Sequence, residues 1–336
     1  MRELNKKFNI KKLTCSRELS LVVVLIVLCA AIQFRNSSFL TFGTMEAMLK
    51  NYSVTMILAL GMLGVLLIGG IDISIGSTLA FSGMTAALLM RDGVFTATPL
   101  GFLASMLVGG AWGFLIGLII SKGKVLPIIA TLGFMNIVRG ATYIIADSRW
   151  VAAYEIPKKF KDFATSSYLG LGIINNMIAV MLFCYIIFFI VMKWTRIGRK
   201  VYAVGSNPEA AQVSGIKIDN IKLMVYTVMG VISGLAGALW VSIYASAQGN
   251  MADGIEMDVI AACVIGGVSL NGGRGSVVGV FLGGIIMSII GKALPLIHVD
   301  QFWQKAVKGL IILIAIIINV VTQRVVEKNN LKRREL

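Results

Sequence analysis

The side chains capable of chemistry in this 336-residue chain lie in three groups. The first is Asp72, Ser74 and Ser77 in GGIDISIGSTLAFSG, residues 69–83, where polar side chains between glycines interrupt apolar sequence. The second is Thr131, Asn136 and Arg139 in PIIATLGFMNIVRGATYIIA. The third is Glu256 and Asp258, preceded by Asp253, in NMADGIEMDVIAACVIGGVSLNGGRGS, residues 250–276. Polar and ionisable side chains set in apolar sequence are functional-site candidates, the intramembrane Arg139 by default. They do not assemble a catalyst, because bond cleavage needs a nucleophile beside a base, or a metal, and the single histidine, His298, supplies neither. Cys15, Cys29, Cys184 and Cys263 stand singly with no CxxC pair, so neither a disulfide framework nor a zinc site is expected. GGVSLNGGRGS has the glycines of a phosphate loop, but Gly273 stands where that loop needs lysine, and no GxxxxGK[ST] occurs elsewhere. No nucleotide site, metal or cofactor is expected, and the chain is not read as an enzyme.

Each group also has a structural reading. Asp72 or Ser74 can accept from the free N–H groups of a following helix, and acidic residues at a helix start favour the positive end of its dipole. Thr131 and Asn136 can bond neighbouring helices. Arg139 near the outer end of its span can snorkel outward or pair with Asp147.

The elements that must position these residues are membrane helices. With 57% hydrophobic residues, 14% charged residues and a mean hydropathy of +0.86, the chain lies outside the soluble globular class. Apolar segments run from Leu19 to Phe34 and over about 51–70, 73–90, 99–120, 125–146, 173–192, 223–246, 257–268, 275–291 and 306–321. The first is read as a retained span, since no small-x-small cleavage site follows it. A full crossing needs about 20 residues, so 257–268 and 73–90 read as part-crossing helices buried in protein. The expected fold is all-α: a polytopic bundle of about ten transmembrane or part-crossing helices. It forms one domain over 19–321, between basic tails at 1–18 and 322–336.

A net charge of +15 would suggest nucleic acid in a soluble chain. Here the charges are spread over connectors and tails, as topology-setting Lys and Arg are, and no nucleic acid is expected. Ten crossings with the N-terminus inside gather the basic residues of both tails, Lys122, Lys124, those of 193–222 and Arg274 on the cytoplasmic side. That side then holds about two for every one outside, so both termini are expected in the cytoplasm. Glycines repeat every fourth residue at Gly109, Gly113 and Gly117, at Gly230 and Gly234, and at Gly275, Gly279 and Gly283. Such small faces let helix backbones approach closely in lipid.

The longest polar segment between spans is KWTRIGRKVYAVGSNPEAAQVSGIKIDNIK, residues 193–222. Gly205, Ser206, Asn207 and Pro208 read as a turn, and Glu209–Val213 as a short helix with Asn207 as N-cap, stopped by Gly215. A solvated loop is the plain alternative. The outer stretch 147–170 carries Trp150, Tyr154 and Phe160 among Lys158, Lys159 and Lys161, which suits either a docking surface or an interfacial anchor.

Over about 40–320 these motifs resemble the permease subunits of ribose-type ABC sugar importers. YAVGSNPEAAQVSGI is similar to that family's cytoplasmic coupling segment, GIDISIGS to its GIDLSVGS signature, PIIATLGF…RG to its ATLG…RG helix, and IEMDVIAACVIGGVSLNGGRGS to its second signature. The resemblance implies that Gly205, Asn207, Pro208, Glu209, Ala210, Ala211, Ser214 and Gly215 engage an ATPase. It implies a translocation path or gate at Asp72, Ser74, Ser77, Thr131, Asn136, Arg139, Glu256 and Asp258. The implied partners are a second permease copy or paralogue, a cytoplasmic ABC ATPase and an extracytoplasmic sugar-binding protein, in a bacterial cytoplasmic (inner) membrane. The implied cargo is a monosaccharide or similar polyol-like solute, of the ribose, rhamnose or autoinducer-2 class. The alternative is an ion-coupled secondary transporter. Such proteins need ionisable residues at mid-membrane, whereas the acids here fall at segment ends.

Overall fold

The computed structural model describes residues 17–167, 175–296 and scattered positions between 300 and 317. The helices are α1 (Arg17–Arg35), α2 (Phe42–Leu67), α3 (Ile75–Arg91), α4 (Thr98–Ser121), α5 (Pro127–Ile145) and α6 (Lys158–Thr165). They continue as α7 (Asn176–Trp194), α8 (Arg196–Ser206), α9 (Pro208–Val213), α10 (Ile218–Tyr244), α11 (Ile255–Ile265) and α12 (Val277–Leu296). Seven of them, α1, α2, α4, α5, α7, α10 and α12, are long and apolar enough to cross a membrane. The expected all-helical membrane bundle is therefore present. The two segments read as part-crossing are helices of 17 residues (α3) and 11 residues (α11). The expected segment 306–321 falls mostly outside the described residues, as do most of both tails and His298.

Two boundaries differ from the hydropathy reading. Helix α2 begins at Phe42 and α10 at Ile218, each several residues before its apolar run. At α10 the reason is electrostatic: Asp219 sits in the first turn, where the helix dipole favours an anion, and its carboxylate takes Lys124 Nζ at 2.5 Å.

The core is organised by glycine. Helices α4 and α10 touch backbone to backbone: a Cβ at Gly109 would lie 2.3 Å from the Gly230 carbonyl, and one at Gly234 2.2 Å from that of Ser105. At this closeness Ser105 Oγ donates to the Gly234 carbonyl at 2.6 Å. Helices α11 and α12 meet in the same way through Gly266, Gly279 and Gly283. With no hydrophobic drive between helices in lipid, close packing of this kind supplies the attraction. Helix α2 lies in the middle of the bundle, with the side chains from Val54 to Leu67 almost all buried. By contrast α1 stands on the outside, touching the rest through Leu25, Leu28, Cys29 and Ile32.

One end of the bundle carries the glycine turns. Helix α2 stops at Gly69 (φ +73°) and Gly70, with Gly70 N–H donating to the Val65 carbonyl and Gly69 N–H to that of Leu66. Helix α11 stops identically at Gly267 (φ +90°), with Val268 N–H donating to Cys263 and Gly267 N–H to Val264. Both are Schellman closures, in which the left-handed residue has to carry no side chain. The 195–217 segment lies at this glycine end. At the opposite end, Val151 and Ala247 exchange backbone bonds of 3.0 and 3.1 Å, and Ser242 Oγ donates to the Phe160 carbonyl at 2.6 Å. Phe160 is thus buried against α10 and is not a membrane anchor, while Trp150 and Tyr154 remain exposed.

Candidate functional site

The capped helix read from the sequence is present as α9. Asn207 Oδ1 accepts from Ala210 N–H at 3.0 Å, Pro208 opens the helix, Glu209 lies in its first turn, and Gly215 (φ +81°) follows its end. Gly205 and Ser206 form no turn, however: they are the last residues of α8, which runs on because Val201 and Val204 bury one face against the bundle. Asn207 alone, in extended conformation (φ −158°), makes the corner between the two helices.

The surface presented by α9 differs from the sequence reading. Ala211 is 4% exposed and packs on its own chain. Ala210 and Ser214 are exposed, and Val213, at 90% exposure, is a large apolar side chain directed into solvent. Beside it Lys122, Lys124, Lys217 and Lys222 line a groove of about 600 Å³ together with Pro208 and Gln212.

Gly205 ties this surface to the bundle. A Cβ there would lie 1.6 Å from the Leu67 carbonyl and 2.7 Å from Gly273 N, while Gly273 N–H itself donates to Leu67 at 2.9 Å. Tyr202 OH on α8 donates to the Gly275 carbonyl at 2.8 Å. The end of α2, the end of α8 and the glycine-rich loop after α11 thus meet in one backbone-packed junction. A displacement of α8 bears directly on the other two.

Just beyond this junction Asp72 is buried, its Oδ1 accepting from Ser74 N–H at 2.9 Å and Ser74 Oγ at 2.6 Å. The expected capping is therefore displaced by one step. Asp72 fixes the residue before α3, and Ser74 caps α3 through its carbonyl, which accepts from Thr78 N–H at 2.9 Å. Ser77 Oγ, Thr78 Oγ1 and Tyr226 OH are buried with no hydrogen-bond partner. Thr131 Oγ1 leans toward the Ile71 carbonyl at 3.5 Å, bringing α5 to the same turn. Asn136 is not part of it: it is exposed and bonds back to Leu132 at 3.0 Å.

The acidic stretch is deeper than its place at a segment end suggested. Arg139 neither snorkels nor pairs with Asp147: its Nη1 donates to the Gly249 and Met251 carbonyls, both at 2.8 Å. It thereby draws the 245–254 loop down along α3. Ala252, held in the left-handed region (φ +58°), has its carbonyl 2.7 Å from where a Cβ of Gly76 would be, and Glu256 Oε2 is 2.9 Å from that point. Fifteen residues separate Gly76 from Arg91 at the far end of α3, about 22 Å of helix at 1.5 Å per residue. Asp72, in the turn before α3, and Glu256, in the first turn of α11, are thus ionisable groups at segment ends that are nonetheless buried within the bundle.

Asp253, Glu256 and Asp258 open into a cleft of about 820 Å³ that Asn51, Tyr52, Trp240 and Tyr244 also line. The rings of Trp240 and Tyr244 lie 4.7 Å apart on successive turns of α10. Aromatic faces next to carboxylate and amide groups form a surface on which a polyhydroxylated ring can lay its C–H face while its hydroxyls donate. The sequence reading omitted Trp240 and Tyr244, although their four-residue spacing at the end of a span was a usable signal. Among the described residues no group of His, Cys, Asp and Glu is arranged to hold a metal ion.

Residues 44–316 match the family model described as branched-chain amino acid transport system / permease component. The ribose import permease protein RbsC of Bacillus subtilis is 36% identical over 295 residues, 88% of this chain and 90% of that protein. The galactose/methyl galactoside import permease protein MglC of Escherichia coli K12 is 36% identical over 330 residues, 94% of this chain and 97% of that protein. The L-arabinose ABC transporter permease protein AraH of Azospirillum brasilense is 33% identical over 302 residues, 88% and 86% respectively. No solved structure matches the chain.

Proposed function

The chain belongs to the branched-chain amino acid transport system / permease component family, and we propose that it carries a monosaccharide inward as the membrane subunit of an ATP-driven importer. The observation that carries the mechanism is the junction at Gly205, where a helix outside the spans packs without side chains between the ends of α2 and the 269–276 loop. In an ATP-driven importer the free energy has to enter from a partner here, since the chain has no phosphate loop of its own. Helix α9, with Val213 outward and the lysine-lined groove beside it, is the surface on which a cytoplasmic ATPase docks. Gly205, Asn207, Pro208, Glu209, Ala210, Ser214 and Gly215 shape that surface, and Ala211 holds it to the chain.

Movement of α8 is transmitted to the Gly69–Ser74 and 266–276 turns. There Asp72, Ser74, Ser77 and Thr131 order an inner gate, and the unpartnered hydroxyls of Ser77 and Tyr226 find partners in the second conformation. Solute delivered by an extracytoplasmic binding protein, received near Trp150 and Tyr154, enters the cleft at Trp240, Tyr244, Glu256 and Asp258. A second permease copy closes the open side. Arg139 holds the outer loop, and Asn136 faces lipid or that copy. The basic residues Lys122, Lys124, Lys193, Arg196, Arg199, Lys200, Lys217 and Lys222 all lie at the glycine end, which supports placing this end and both termini in the cytoplasm of a ten-crossing protein. Burial of Asp72 and Glu256 favours a second reading, ion-coupled transport, in which one of these carboxylates carries the coupling proton.

The test is reconstitution with the candidate ATPase and binding protein. ATP hydrolysis should rise severalfold with sugar-loaded binding protein, and Trp240→Ala should lower sugar uptake while leaving the assembled complex intact. An ATPase rate indifferent to the presence of this chain would contradict the reading.

A further inference from the structure

A second cleft, of about 660 Å³, lies at the glycine end between the start of α1, the end of α7, α8 and the start of α12. We propose that it binds the headgroup of an anionic phospholipid. Its polar wall is Lys193, Arg199, Tyr202, Ser276 and Glu18, and its apolar wall includes Phe189 and Val278. Neither Lys193 nor Arg199 has an ion pair among the described residues. Lys193 Nζ rests 4.9 Å above the Phe189 ring, and Arg199 Nη1 makes one long bond of 3.4 Å to the Trp194 carbonyl. Two cations against the one carboxylate of Glu18 leave a single positive charge, which one phosphodiester neutralises, with the guanidinium fork suited to its oxygens.

The location separates a lipid from a free anion. Lys193 closes a membrane-crossing helix, and the apolar wall continues along α7 into the exposed side chains of Ile190, Ile187 and Ile186, so acyl chains leaving the cleft run directly onto lipid-facing surface. A basic pocket between helices at the cytoplasmic level is the arrangement that recognises anionic headgroups. Its volume falls within the ~300–1,000 Å³ of small-molecule sites. Glu18, whose Oε1 accepts from Ser276 Oγ at 3.4 Å, disfavours a carboxylate headgroup and can accept from the hydroxyls of a glycerol one. Because Arg199 and Tyr202 belong to α8, an occupied cleft also steadies the helix that reaches the Gly205 junction.

The experiment is native mass spectrometry of the purified full chain, titrated with phosphatidylglycerol, phosphatidylethanolamine and phosphatidylcholine of identical acyl chains. Wild type should retain phosphatidylglycerol about tenfold more tightly than either zwitterionic lipid. Lys193→Gln/Arg199→Gln should lose that preference, and Lys122→Gln/Lys124→Gln, which removes charge at the same end outside the cleft, should keep it. An unchanged preference in the first variant, or equal loss in both, overturns the site. Displacement of the lipid by millimolar glycerol 1-phosphate would make it a site for soluble phosphate esters and overturn the lipid assignment. Should the double variant not accumulate, Arg199→Lys keeps the charge without the fork and should show a severalfold weakening on its own. Binding is read without transport, so the result stands apart from the importer reading.

Discussion

Gly205 and Gly133 separate two uses of the same residue type. A methyl group at Gly205 would stand 1.6 Å from the Leu67 carbonyl, whereas nothing lies within 4 Å of one at Gly133. Gly205→Ala should therefore cost about 1–3 kcal/mol, as overpacking does. It should lower the thermal unfolding midpoint by several degrees, and Gly133→Ala should leave that midpoint unchanged. A scanning-fluorimetry melt of both variants in the same detergent checks this; equal midpoints would mean that the junction yields freely. At this scale the sequence was informative where chemistry is local. Asn207, Pro208 and Gly215 announce a start and a stop through the bonds and dihedrals that those residue types alone favour. It was uninformative where a role depends on distant backbone. Arg139 bonds carbonyls at Gly249 and Met251, and no pattern near residue 139 points there. The depth of Asp72 and Glu256 was hidden for a related reason: hydropathy ends a segment at a carboxylate whether it lies at the membrane surface or on a re-entrant turn.

At the scale of elements, long helices were readable because twenty apolar residues in lipid have to satisfy their own backbone. Repeating glycines announced close faces, but which faces meet was not available, since α4 could have matched α12 as well as α10. The six residues of α9 are too few for periodicity to say which side faces the protein, and in the structure Ala211 lies on the buried side. The corrected orientation makes a sharper prediction. Val213→Glu should leave the chain inserted in normal amounts and reduce ATPase co-purification about tenfold or more, since an unpaired charge in a protein contact costs several kcal/mol. Ala211→Glu should instead lower the amount of chain in the membrane, because the charge is buried within the chain itself. Quantitative blotting of membranes and of the co-purified fraction tells the two apart, and full ATPase recovery with Val213→Glu would remove α9 from the docking surface.

For the whole molecule, contacts run from the 249–252 loop through Gly76 and the Asp72 turn to the junction of Leu67, Gly205 and Gly273, and α8 leads from there to α9. The cleft and the groove lie toward opposite ends of the bundle, with the Gly205 junction at the groove's end and the buried Asp72 turn just inside it. On the proposed reading, a partner docked at one end shifts the balance between two packings of this interior. The same interior also holds two buried carboxylates, so the source of the driving force separates ATP-driven from ion-coupled transport. The decisive measurement is uptake of radiolabelled ribose, galactose and arabinose into proteoliposomes containing this chain, the ATPase and the binding protein. ATP is sealed inside, with and without ionophores that collapse proton and sodium gradients. ATP-driven import predicts accumulation of at least one sugar that requires hydrolysable ATP and is unaffected by the ionophores. Accumulation by the chain alone, without ATP and abolished by collapsing an ion gradient, would contradict it.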